Sequence, residues 1–146
     1  MKHFLATTAL LLTALAVAAN AQKADEFRQR YGAPDSHGRY IVRPDIGMTV
    51  EFAENGRASR MVIKRLDSEE EGTSSHQPKL MSESSAKEIL EEVAPAAKRG
   101  KLLRTGGFAA SCIRMSFDEY EHVTINQTIR CEKQGGGIYN AAVQFK

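Results

Sequence analysis

Both cysteines of the chain lie in one stretch, SCIRMSFDEYEHVTINQTIRC, running from Ser111 to Cys131. Between Cys112 and Cys131 stand His122 and three carboxylates, Asp118, Glu119 and Glu121. These residue types admit several chemistries. A thiolate beside an imidazole base is a nucleophile. Two carboxylates at a fixed separation can cleave a glycosidic bond. Convergent His, Cys and acidic groups can hold a metal. A paired cysteine does none of this, so the compartment of the chain decides the question.

The first residues, MKHFLATTALLLTALAVAANAQ, place Lys2 before an uncharged apolar run and end on Ala19-Asn20-Ala21. A basic start, a short apolar core and small residues at the cleavage positions make a secretory signal peptide, expected over 1–21. The run is shorter than a membrane-spanning helix requires. The chain is therefore expected to be exported to the periplasm or outside the cell, from a bacterial source. Residues 22–146 then form a single domain of about 125 residues. Without Lys2 the 20 basic residues become 19 against 18 acidic ones. That balance gives no field to recruit nucleic acid, and no transmembrane segment is expected in the mature chain. In an oxidising compartment a lone cysteine pair is most simply a disulfide. Cys112–Cys131 is accordingly expected to be bridged, and cysteine catalysis is not.

The remaining chemistry is sparse. His37, His76 and His122 occupy three separate segments without ligand spacing, so no metal site is expected. There is no G-x-S-x-G, no phosphate loop and no dinucleotide fingerprint, and no cofactor is expected. Asn126-Gln127-Thr128 is a glycosylation sequon, relevant only in a eukaryotic secretory pathway. The most suggestive surface is KRGKLLRTGGF. There Lys98, Arg99, Lys101 and Arg104 cluster beside Gly106 and Gly107, an arrangement able to bind an anion or a partner. Basic residues at the end of a helix also stabilise it through the dipole.

The elements that must position these residues read as follows. ADEFRQRYGAPD is a short helix with Asp25 and Glu26 at its start and a stop at Gly32 and Pro34. Arg39–Val42 is an early strand, followed by a turn at Pro44-Asp45. Asn55-Gly56 predicts a type I′ two-residue hairpin turn. That register sets Phe52 against Ser59, Val50 against Met61, Met48 against Ile63 and Glu51 against Arg60. Residues 66–79 form an exposed acidic loop. MSESSAKEILEEVAP is a helix with the apolar stripe Ala86, Ile89, Leu90 and Val93. Ser85 with Glu88 fits a capping box, and Ser82 is the competing N-cap. Pro95 ends or kinks it, and PAAKRG adds a last turn.

The C-terminal third alternates like strands: Ile113, Met115, Phe117, then Val123, Ile125, Ile129 and Cys131, with Gln127 the polar exception. A final strand, IYNAAVQF, follows a Gly135-Gly136-Gly137 turn. The expected fold is α+β, an antiparallel sheet with two helices packed on one face and one disulfide. The cysteine stretch leaves a register problem. A simple hairpin turning near Tyr120–Val123 would point Ile113, Met115 and Phe117 away from the apolar face of the next strand. Either the sheet is covered on both sides, or a bulge intervenes, or the two strands are not neighbours.

RYGAPD followed by a strand and MTVEFAENGRASRMVI resembles the helix–hairpin unit of the SmpA/OmlA outer-membrane lipoprotein family and the related β-lactamase-inhibitor-protein fold. The resemblance covers Phe27 to Ile63 and implies a protein–protein interaction module, with no binding residues carried over. Together these readings point to a small exported, non-catalytic binding or envelope-associated protein whose partner is an unidentified protein or envelope component. The alternatives are a secreted hydrolase-like enzyme with a site assembled from scattered polar residues, and a carrier of a small apolar ligand.

Overall fold

A computed structural model describes residues 22–68, 79–132 and 135–146 of the 146-residue chain. The expected signal segment, most of the acidic loop and His76 lie outside the described residues. The elements run α1 (Ala24–Tyr31), β1 (Arg39–Arg43), β2 (Ile46–Phe52), β3 (Ala58–Arg65), a 3₁₀ turn (Leu66–Ser68), α2 (Glu83–Val93), α3 (Ala96–Arg99), β4 (Leu102–Ala110), β5 (Ile113–Tyr120), β6 (Val123–Glu132) and β7 (Gly135–Phe145). All seven strands join one antiparallel sheet in the order β1-β2-β3-β7-β6-β5-β4. The architecture is α+β. A third short helix, α3, follows Pro95 and ends at Gly100.

The β2–β3 hairpin follows the expected register through Met48–Ile63, Val50–Met61 and Glu51–Arg60, then slips so that Phe52 meets Ala58. The two-residue type I′ turn is not formed. Ala53 pairs with Arg57 through its N–H, and of the turn residues only Gly56 has a positive φ, of 73°. The Asn55 side-chain oxygen accepts the Arg57 N–H at 3.0 Å. That bond satisfies Asn55 while it keeps a negative φ, and the loop lengthens by one residue with a bulge. The Arg60–Glu51 ion pair, at 2.7 Å, forms as expected on the exposed face.

On the opposite face Tyr40, Met48, Met61, Ile63, Ala141 and Val143 are buried. They share one hydrophobic cluster with Phe27 of α1 and with Ala86, Ile89, Leu90 and Val93 of α2, the four stripe residues expected from the sequence. Phe27 packs edge-on to Phe52 and tilted to Tyr40, with ring centroids 5.9 and 5.6 Å apart. Helix α2 is capped by Ser82, whose hydroxyl accepts the Ser85 N–H at 3.0 Å. The competing cap thus prevails over the Ser85–Glu88 box, and the helix gains nearly a turn at its start.

Two further expectations change. The triple glycine is not a turn: Gly135, Gly136 and Gly137 pair with Glu132, Cys131 and Arg130 inside the β6–β7 ladder. A Cβ on Gly137 would lie 2.7 Å from Leu80 Cβ and 2.8 Å from the Met81 carbonyl, so the missing side chain lets Met81 bridge to Ile138. The segment LLRTGGFAA, read as a basic surface, is also a nine-residue strand, β4, at the sheet edge.

Candidate functional site

The register problem resolves in a definite way. Strands β5 and β6 are direct neighbours with unbroken register from Glu119–Thr124 to Ile113–Arg130. The bulge lies elsewhere, between Thr128 and Ile129 where β6 meets β7. Because side chains alternate, Arg114, Ser116 and Asp118 project toward α2, and Ile113, Met115 and Phe117 project away from it. Strand β5 is therefore inverted relative to β3, β6 and β7, with polar residues on the helix side and apolar residues outside.

Neither β4 nor β5 contains a buried residue, so the two make a wing reaching past the area that the helices cover. On its outer face Phe108 is 60% exposed and lies opposite Met115, itself 41% exposed, while Ile113 is 39% exposed. Phe117 is partly covered, since Arg104 stacks over its ring with the guanidinium carbon 5.2 Å from the centroid. The ring also fills the space a side chain on Gly106 would take, 2.8 Å from its Cβ position.

The helix-side face of the wing forms one wall of a cleft of about 400 Å³. Its other wall is α2, presenting Glu83, Lys87 and Glu91, with Arg99 of α3 at one end. Leu90, Ile125, Ile129 and Ile138 make the apolar floor, and Ser116 faces Gln127 across the β5–β6 ladder. Arg99 is engaged: it holds Glu91 at 2.8 Å and donates to the Ala94 carbonyl at 2.6 Å. Asp118 accepts the Thr105 hydroxyl at 2.7 Å. Glu83, Lys87, Arg114, Ser116 and Gln127 make no side-chain hydrogen bond or ion pair among the described residues.

The residues singled out from the sequence separate accordingly. The three carboxylates near His122 turn to different partners: Asp118 to Thr105, Glu119 to Arg104 and Lys146 at 2.9 Å each, and Glu121 to the Lys101 N–H at 2.8 Å. Lys146 first, then Arg104, holds the Glu119 carboxyl below its ordinary range. His122 sits at the β5–β6 turn, where its N–H donates to the Arg99 carbonyl at 3.0 Å. The basic group Lys98, Arg99, Lys101 and Arg104 is spread over α3, the following link and β4, with Arg99 and Arg104 each turned to a carboxylate. Gly106 and Gly107 lie within β4 against β5. Cys112 follows Ser111, which has a positive φ of 52°, in the two-residue turn between β4 and β5. No cysteine among the described residues is free, and the side chain of Cys131 lies outside them. Among the described residues no group of three His, Cys, Asp or Glu is placed to hold a metal, and no helix is long and apolar enough to cross a membrane.

The cleft was missed in the sequence, and the outward row of Ile113, Met115 and Phe117 was left there as one of several outcomes of the register problem. Their signal was present, because alternation in IRMSFDEY gives two usable faces, but the choice of inner face depends on a register that only the assembled sheet supplies. Comparison with family models, with curated proteins and with solved structures finds no match.

Proposed function

We propose that this is a small exported binding module, periplasmic or extracellular and non-catalytic, which takes a protein or envelope partner on the outer face of the β4–β5 wing. One observation carries this reading: the adjoining exposure of Phe108, Ile113 and Met115 at a sheet edge whose guards, Arg104 and a register shift, are confined to its first three residues. Natural edges are blunted by shortness, charge, proline or bulges. The β1 edge has all of these, being five residues long, flanked by Arg39 and Arg43, bulged after Ile41 and followed by Pro44. Strand β4 has nine residues and no charge or proline from Thr105 to Ala110. Clustered exposed apolar side chains mark interaction surfaces, and an open edge accepts an extended strand. The resemblance of Phe27–Ile63 to envelope interaction modules belongs to the same proposal.

The non-catalytic part draws support from the three dispersed carboxylates, which leave no converging acid–base pair at the turn. The disulfide also belongs here. Continuing the β5–β6 register one step beyond Ile113–Arg130 sets Cys112 opposite Cys131. Directly opposed residues have Cα atoms about 4.5–5.5 Å apart, within the span a disulfide bridges. We infer too that α1 and α2 together close one face of the sheet.

The test is capture from the exported fraction of the source cells, comparing wild type with a Phe108→Glu, Met115→Glu double variant. Wild type should retain a partner that the variant loses while both melt alike. Equal capture by the two proteins, or none by either, would sink the assignment to this face.

A further inference from the structure

The cleft on the other side of the wing carries an independent inference. We propose that it binds short peptides with free ends, the terminal carboxylate on Lys87 and Arg114 and the terminal amine on Asp118. Lys87 and Arg114 come from opposite walls, and neither has a partner among the described residues. Arg114, at one end of the cleft, is the complement of a carboxylate, which guanidinium can bind through two parallel hydrogen bonds, and Lys87, one helical turn inward from Glu83, adds a second cation for it to reach.

Spacing argues against a simple anion as the whole ligand. Arg114 and Asp118 are four residues apart on one strand, so they stand about 13 Å apart along the cleft. Asp118 receives a hydroxyl hydrogen bond from Thr105, which leaves its charge uncompensated. The other acid at that end, Glu91, is already neutralised by Arg99. An amine is therefore wanted at the Asp118 end and a carboxylate at the Arg114 end. An extended tripeptide spans about 10 Å, and the inward reach of the two side chains closes the remainder.

Between the ends lies what a peptide backbone and its side chains need. Ser116 and Gln127, unbonded side by side, offer a hydroxyl and an amide for one peptide group, and Leu90, Ile125 and Ile129 form an apolar floor beneath. A cleft of about 400 Å³ is in the range of small-ligand sites. Glu83, in the first turn of α2, lies at the carboxylate end and also favours the positive end of its helix. Lys87, one turn further along α2, and Arg114 across the cleft flank it.

The test is a titration of the purified protein with Ala-Leu-Ala, followed by calorimetry and by the amide signals of Ser116 and Gln127. The free peptide should bind and move both signals. Amidating its carboxyl end, or Arg114→Gln, should weaken binding about tenfold or more, as should acetylating its amine or Asp118→Asn. Octanoate, an apolar carboxylate without an amine, serves as the competing probe. Three results would overturn the proposal: no movement of the two signals at millimolar peptide, unchanged affinity of the capped peptides, or octanoate binding as tightly as Ala-Leu-Ala. Arg114 is exposed, so its substitution should leave the melting temperature unchanged and report on binding alone. The outcome is separable from partner capture, which uses the opposite face of the wing.

Discussion

Glu92 shows how one side chain ties two distant segments together. Its carboxylate accepts the Tyr31 hydroxyl at 2.7 Å and pairs with Arg30 and Arg43 at 3.1 Å each, linking α2 to α1 and β1. Burial pushes this carboxyl upward, but the Tyr31 hydroxyl and then the two arginines outweigh it and hold it below its ordinary range. Burial first, then Glu92, pushes the Tyr31 phenol in the other direction. A carboxyl depressed on folding contributes stability that is fully present above its unfolded pKa of about 4.3. That contribution is lost as pH falls through the folded value. Wild type should therefore lose stability below about pH 4.5, and Glu92→Gln should show a shallower loss in urea titrations at stepped pH. At neutral pH the same variant should cost about 1–3 kcal/mol, since two arginines lose their counter-charge. An equal acid slope in both proteins would refute this account of Glu92.

Gly107 gives a steric counterpart. A Cβ there would stand 2.3 Å from the Met115 carbonyl oxygen, a backbone atom that cannot swing aside. Gly107→Ala should destabilise by about 1–3 kcal/mol through displacement of β4 from β5. Ser111 runs the opposite way: its positive φ costs a serine what a glycine does not feel. Ser111→Gly should hold or raise stability by up to about 1 kcal/mol, measured by denaturant midpoint.

Among the elements, α2 was the most legible, because its apolar stripe, cap and proline stop all follow from local chemistry. Its start depended on which serine caps it. Ser82→Ala should remove the bond to the Ser85 N–H and cost about 1 kcal/mol, whereas Ser85→Ala should leave the N-terminal cap in place; equal losses in thermal melts would reassign it. The β2–β3 register was also legible, since an apolar face and an ion pair selected the same alignment. The turn closing it was not, because the Asn55 side chain satisfies a backbone donor by a route that the Asn-Gly pair does not reveal. Strand β4 was hidden for a different reason. With both faces largely open to solvent, it has no apolar–polar alternation to betray it. The glycines of β7 misled likewise, since glycine marks a turn in general but here admits Leu80 and Met81 against the strand. For β7 the missing information lay in neighbours distant in sequence, and for the turn in a side chain two residues from its partner.

Across the molecule, burial is lopsided. The hydrophobic cluster lies over β1, β2, β3, β7 and β6, with no buried residue in β4 or β5. Amides in β3 and β7 should exchange hydrogen at the rate of global unfolding, and those of β4 should open at a distinctly lower free energy. Uniform protection across all seven strands would contradict a wing held mainly by its own ladder. A Cys112–Cys131 bridge would fasten the outer end of that wing to β6. The bond closes a loop of about twenty residues, so reduction should cost roughly 3 kcal/mol. The oxidised protein should yield no titratable thiol, and the β4–β5 amides should lose the most protection on reduction.

The inverted strand β5 has a consequence for how such a protein can diversify. Odd-numbered positions from Ile113 to Phe117 alter one surface, and Arg114, Ser116 and Asp118 alter the other. None of them belongs to the core that decides whether the chain folds. The two surfaces can therefore drift separately on one hairpin while the fold stays constant, and variation among related chains should gather on β4 and β5.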